Sequence, residues 1–141
     1  MNIDRRVAVY GTLRTGQPLA HVWEGAATTN VGIVRNFGLV IRDDVPFPIA
    51  KWTGLVDDII VVEVLRFKKK DVFSRVLAEM DQIEGHPLMY RRQRVDVEFR
   101  NSEWVQAWMY VGADPKMFVD GSILIDGDWT EFVTGLPSVI E

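Results

Sequence analysis

The sequence contains no cysteine. Disulfides and thiolate metal sites are therefore excluded. Histidine is nearly absent as well, with two residues in the chain, His21 and His86. No G-x-S-x-G is present, and no serine stands in the setting of a nucleophile. Positive charge is not in excess: the net charge is −4, and the only basic block is Lys68, Lys69 and Lys70. That balance argues against a dedicated nucleic-acid binder. Long hydrophobic runs are missing too. The longest, residues 59–65, is interrupted by Glu63 and falls far short of a bilayer span. The initial MNIDRR has no apolar stretch behind its charges and does not resemble a signal peptide. Repeats and low-complexity segments are also lacking. The 141 residues, 48% of them hydrophobic, suffice for one domain with a real core. The chain is read as a soluble, cytosolic single domain, with no membrane association.

Short strands dominate what is present. Residues 7–10 are rich in β-branched residues, read as a short buried strand, and are ended by glycine. Residues 31–41 look extended but contain Gly32 and Gly38, which predicts a bend or bulge. Residues 43–48 form a turn-rich loop, because Pro46 and Pro48 forbid regular helix. Residues 54–67 carry the strongest strand signal, and 94–100 with 104–111 form a hairpin across Asn101-Ser102. One helix is predicted over residues 71–83, with Asp71 as N-cap. Val72, Phe73, Val76, Leu77, Met80 and Ile83 share one stripe; Gly85 and Pro87 end it. A weaker helix is expected around 20–27. This mixture predicts an α+β domain built on a curled sheet or small barrel.

Two local features carry chemistry. The first is the turn G-T-L-R-T-G-Q-P, residues 11–18. A phosphate-binding P-loop has the same glycine spacing, but Gln17 replaces its lysine and Pro18 its hydroxyl, so nucleotide chemistry is lost. What survives is a glycine turn after a buried strand, whose amides can converge on a carboxylate or a developing oxyanion. A plain connecting turn would look the same in sequence. The second feature is Glu84. At about 100° per residue it falls near Leu77 and Phe73, on the apolar side, and at the negative end of the helix dipole. Both settings disfavour the carboxylate and raise its pKa toward neutrality, where it can accept and return a proton. A frayed last turn would instead release Glu84 to solvent. Asp81, Glu84 and His86 could form a metal site, but Asp81 occupies a different sector of the helix. Tyr90, Arg91, Arg92 and Arg94 form either a solvated strand face or a rim that attracts an anionic substrate. By alternation Tyr90 faces away from Val95 and Val97.

These pieces together resemble the γ-glutamylcyclotransferase-like family, which includes the γ-glutamylamine cyclotransferases and the plant AIG2-like proteins. Tyr10-Gly11-Thr12-Leu13-Arg14 is similar to that family's Y-G-[ST]-L signature and following basic residue. Asp81-Gln82-Ile83-Glu84-Gly85, with Tyr90, Arg92, Val95 and Val97, is similar to its D-x-x-E-G … Y-x-R-x-x-V-x-V segment. Phe47-Pro48, Ala107 with Tyr110, and Gly127-Asp128-Trp129 follow in the expected order. At Leu19 the chain departs from the asparagine that related glutamylamine enzymes often carry. The resemblance implies a small β-barrel flanked by helices, with no metal and no cofactor. It also implies cyclisation of a γ-glutamyl amide to 5-oxoproline with release of the amine. In that reading Gly11, Thr12 and Leu13 hold the glutamyl head, and Glu84 shuttles the proton. Tyr10 and Tyr90 line the pocket and donate hydrogen bonds. The alternative is a catalytically silent ligand-binding domain on the same scaffold. A partner-binding surface made of Trp104, Trp108, Trp129 and the apolar tail 132–140 is a further alternative, against the preferred reading that these tryptophans fill the core.

Overall fold

The computed structural model describes residues 5–141; residues 1–4, and with them part of the MNIDRR stretch, lie outside the described residues. Five strands close a barrel in the order β1 (Arg6–Val9), β5 (Ile59–Phe67), β2 (Ala27–Arg35), β6 (Tyr90–Glu98) and β7 (Trp104–Gly112). β3 (Phe37–Ile41), β4 (Ile49–Trp52) and β8 (Ser122–Ile123) form a second sheet, and two helices, α1 (Lys70–Glu84) and α2 (Trp129–Thr134), complete the α+β fold. All barrel pairs are antiparallel except β1 with β7.

β5 reads as a nearly continuous apolar run because both of its faces are covered. Val62 and Val64 point into the barrel with Ala8, Val97, Ala107 and Met109. Leu65 and Phe67 point outward with Val7 and Val9, beneath Phe73, Val76 and Met80 of α1. The helical stripe read from the sequence thus seals the outside of the barrel from Val72 to Met80, whereas Ile83 at its end is exposed. Tyr90 also lies on the outer side, away from Val95 and Val97.

Several boundaries differ from the sequence reading, each for a local reason. The extended run 31–41 splits at Asn36, whose φ of 71° turns the chain out of the barrel and into the second sheet. Residues 54–58 are turn rather than strand, closed by the Asp58 amide on the Leu55 carbonyl at 3.0 Å. The N-cap of α1 is Lys69, without a side-chain cap bond. Asp71 instead sits in the first turn, where its charge still favours the positive helix end. Residues 20–27 give only a short 3₁₀ turn, Ala20–Val22. Trp23 is buried there and its indole N–H donates to the Leu13 carbonyl at 2.7 Å, folding the segment back under the loop. The tryptophans divide: Trp129 fills the core, whereas Trp104 is 56% exposed. Trp108 carries Arg92 and Arg94 over its ring at 5.3 and 5.2 Å. No described helix is long and apolar enough to cross a membrane.

Candidate active site

β1 delivers the chain from the barrel wall into Tyr10, Gly11, Thr12 and Leu13. This loop passes so close under Pro48 that a Cβ on Gly11 would stand 2.7 Å from the proline Cγ. Only glycine fits there without displacing one segment or the other. Gly11→Ala is therefore expected to push the loop outward, costing about 1–3 kcal/mol by overpacking. Thermal melting would register that cost. A shift of about 1 Å in a substrate-positioning loop is also expected to lower kcat/KM about 100-fold.

The loop's own hydrogen bonds leave a particular set of donors over. The Gly11 carbonyl accepts from the Arg14 amide at 2.9 Å, and the Thr12 carbonyl from the Leu19 amide at 2.8 Å. The amides of Gly11, Thr12 and Leu13 have no protein acceptor among the described residues. All three residues line a cavity of about 300 Å³.

Glu84 reaches the same cavity from the last turn of α1. Gly85 fixes that helix end: at φ 66° it takes the left-handed conformation that a C-terminal stop requires. No protein donor reaches the Glu84 carboxyl among the described residues. Burial pushes its pKa up to about 7. The negative end of the helix acts in the same direction. One turn earlier, Asp81 behaves oppositely. Burial alone would raise it, but Arg92 donates to it at 2.7 and 3.0 Å and the Tyr110 hydroxyl at 2.6 Å, holding it below the usual carboxylate range. Two carboxylates on one helix end are thereby separated in acidity. His86 is turned to another task, accepting from the Arg92 amide at 3.3 Å, so Asp81, Glu84 and His86 do not converge as a ligand set. Arg92 itself is held by Asp81 rather than offered to a ligand.

All three tyrosines of the chain line the cavity. Their hydroxyl protons are directed into the protein. Tyr10 donates to the Tyr110 carbonyl at 2.8 Å and accepts from the Ala50 amide at 3.3 Å. Tyr90 donates to the Pro48 carbonyl at 3.2 Å. Tyr10 and Tyr90 line the cavity with their rings, while their hydroxyl protons go to protein carbonyls and tie four segments together. Burial, followed for Tyr90 by the nearby Glu84, raises both phenols, so they stay neutral. Leu19, Phe47, Ile83 and Met89 supply the rest of the wall as apolar surface.

The structure thus gathers Glu84, Tyr10, Gly11, Thr12, Leu13 and Tyr90 around one cavity. The sequence reading missed what holds the loop in place. Arg14 is buried, with Nε 3.1 Å from Glu63 Oε1, Nη1 3.2 Å from Asp128 Oδ1, and Nη2 3.0 Å from Ser138 Oγ. Thr15 adds its amide and hydroxyl to Glu63 at 2.8 and 2.7 Å. Asp128 in turn caps α2 by accepting from the Glu131 amide. The available signal was Glu63 itself, a lone charge inside the most apolar run of the chain, which burial obliges to find a partner.

The model of the gamma-glutamyl cyclotransferase, AIG2-like family matches residues 7–131, and the chain belongs to that family. Among solved structures, it resembles an AIG2-like protein from Mus musculus with a TM-score of 0.70 and 23% identity, over 86% of each chain. An uncharacterized protein from Pyrococcus horikoshii gives a TM-score of 0.64 and 23% identity, over 93% of this chain and 94% of that one. The same fold occurs within an allophanate hydrolase from Kluyveromyces lactis, with a TM-score of 0.63 and 18% identity, over 92% of this chain and 21% of that one. At these identities the likeness is one of fold. No curated protein matches the sequence.

Proposed function

We propose that the cavity binds a γ-glutamyl amide and converts it to 5-oxoproline and a free amine. The observation that carries this reading is the pairing of Glu84 with the amides of Gly11, Thr12 and Leu13 across one small cavity. Those amides would hold the glutamyl head by its negative oxygens. The Glu84 carboxylate takes a proton from the substrate's α-amine. The amine nitrogen then attacks the γ-carbonyl carbon, the amide C–N bond breaks, and the leaving nitrogen departs with the proton that Glu84 returns. Ring closure is intramolecular, so holding the chain folded back can supply several kcal/mol, up to about 7–11 in the limit. A single proton shuttle with fixed backbone donors then accounts for the remainder. The apolar wall of Leu19, Phe47, Ile83 and Met89 would receive the amine half.

The test is incubation with a panel of γ-glutamyl amides, with 5-oxoproline followed by mass spectrometry. Formation of 5-oxoproline from at least one member is expected. Stabilisation by glutamate or 5-oxoproline without any turnover would instead establish a binding domain. The reaction also has a pH signature. Glu84 acts as base only when ionised, and its pKa lies at about 7. The kcat/KM profile is therefore expected to rise with pH through about 7 and to level off above it.

A further inference from the structure

At the opposite end of α1 the structure holds a second concave site, of about 490 Å³. Helix α1 has 15 residues, so the two sites are separated by about 20 Å at 1.5 Å per residue. Four of its nine lining residues are cations, Arg66, Lys68, Lys69 and Arg75, and none is a carboxylate. The chain as a whole has net charge −4, so this concentration of positive charge runs against its composition. Among the described residues no ion pair involves any of the four. The carboxylates nearest in sequence, Glu24 and Asp71, are exposed and also unpaired.

The backbone adds a second observation. β1 and β5 pair Arg6 directly with Arg66, which sets two guanidinium side chains on the same face of adjacent strands. Directly opposed like charges destabilise a sheet. Arg6 Nη1 is moreover buried and lacks a hydrogen-bond partner. Arg5 donates to the Lys68 carbonyl at 2.6 Å, drawing a further guanidinium to the same strand end. Burial, and then Arg66, lower the Arg6 pKa. Arg6 lies beside the pocket rather than in its lining, but its pairing with Arg66 adds to the positive charge gathered at this end of β5.

From this geometry we infer that the pocket bounded by Arg66, Lys68, Lys69 and Arg75 binds a soluble polyphosphate group. Arginine forks match phosphoryl oxygens two at a time, and lysines add point charges. Lys69 is also the N-cap of α1, so the positive helix end borders the pocket and adds to the attraction. Four cations call for more than one phosphoryl group, and the volume accommodates a chain of them.

The experiment is a thermal-shift titration of the whole chain with sodium tripolyphosphate, against potassium chloride at matched ionic strength. A saturable rise in Tm on the order of 5 °C is expected at large excess over Kd. Arg66→Gln/Arg75→Gln is expected to lose the shift. Arg66→Gln alone, without tripolyphosphate, is expected to melt about 1–3 °C higher than the parent, because it relieves the pairing with Arg6. Lys68→Ala/Lys69→Ala, both exposed in the parent, gives an independent reading of the same loss. The inference is overturned if tripolyphosphate gives no saturable shift, or if the shift persists in both double variants. It is also overturned if the chain sediments with phosphatidylglycerol vesicles but does not respond to tripolyphosphate, which would assign the patch to a lipid surface.

Discussion

Glu84→Gln is expected to lower the rate of 5-oxoproline formation by about 10²–10⁴-fold, the range that a positioned proton-transfer group supplies. The substitution keeps the shape of the side chain and removes only its ability to ionise. It should also stabilise the fold at high pH, which separates loss of chemistry from loss of structure. Burial raises the carboxyl from 4.5 to about 7. Between those values the folded chain holds a proton that the unfolded chain releases. The associated stability is complete below about pH 4.5 and is lost as pH rises through about 7. At 1.36 kcal/mol per pKa unit the full displacement corresponds to about 3 kcal/mol, which solvent at the partly exposed carboxyl reduces to on the order of 1–2 kcal/mol. Glutamine escapes this loss. Melting curves should therefore show the variant above the parent at pH 8 and close to it at pH 5. Full turnover by the variant would remove Glu84 from the mechanism.

The largest effect on stability is expected at Arg14. Arg14→Ala strips Glu63 and Asp128 of a buried partner in one step. Breaking a buried pair from one side costs about 3–5 kcal/mol, because the remaining charge keeps its desolvation penalty. For a domain of this size that corresponds to a fall in Tm of about 10 °C or more. Lysine cannot reproduce three separate contacts from Nε, Nη1 and Nη2, so Arg14→Lys should recover only part of the loss. Urea denaturation of the three proteins would rank them. Glu63→Gln is expected to be milder than Arg14→Ala, since Asp128 and Ser138 still hold the guanidinium.

Local pattern made much of this molecule legible. The stripe from Val72 to Ile83 fixed the phase of α1, and with it the side on which Glu84 falls. The end of that helix was readable because glycine and proline punctuate it. The glycine turn was readable as a turn. In 31–41 a bend was readable from Gly32 and Gly38, but its position was not, because the chain turns between the two sheets at Asn36, a non-glycine residue with positive φ. The partners of the tyrosine hydroxyls were equally hidden. Tyr10 bonds a carbonyl 100 positions away and Tyr90 one 42 positions away, and no local pattern encodes such distances. Arg14 was visible only as one basic residue of a signature. Its function depends on Glu63 and Asp128, which the barrel brings to it from two other parts of the chain.

The loop amides of Gly11, Thr12 and Leu13 have a consequence for hydrogen–deuterium exchange. Lacking acceptors, they should take up deuterium quickly, although the Tyr10 and Leu13 side chains of the same loop are buried. A short stretch of labile backbone therefore interrupts an otherwise protected wall. Any small acid that settles there should slow labelling at those positions first, which turns the loop into its own reporter of occupancy.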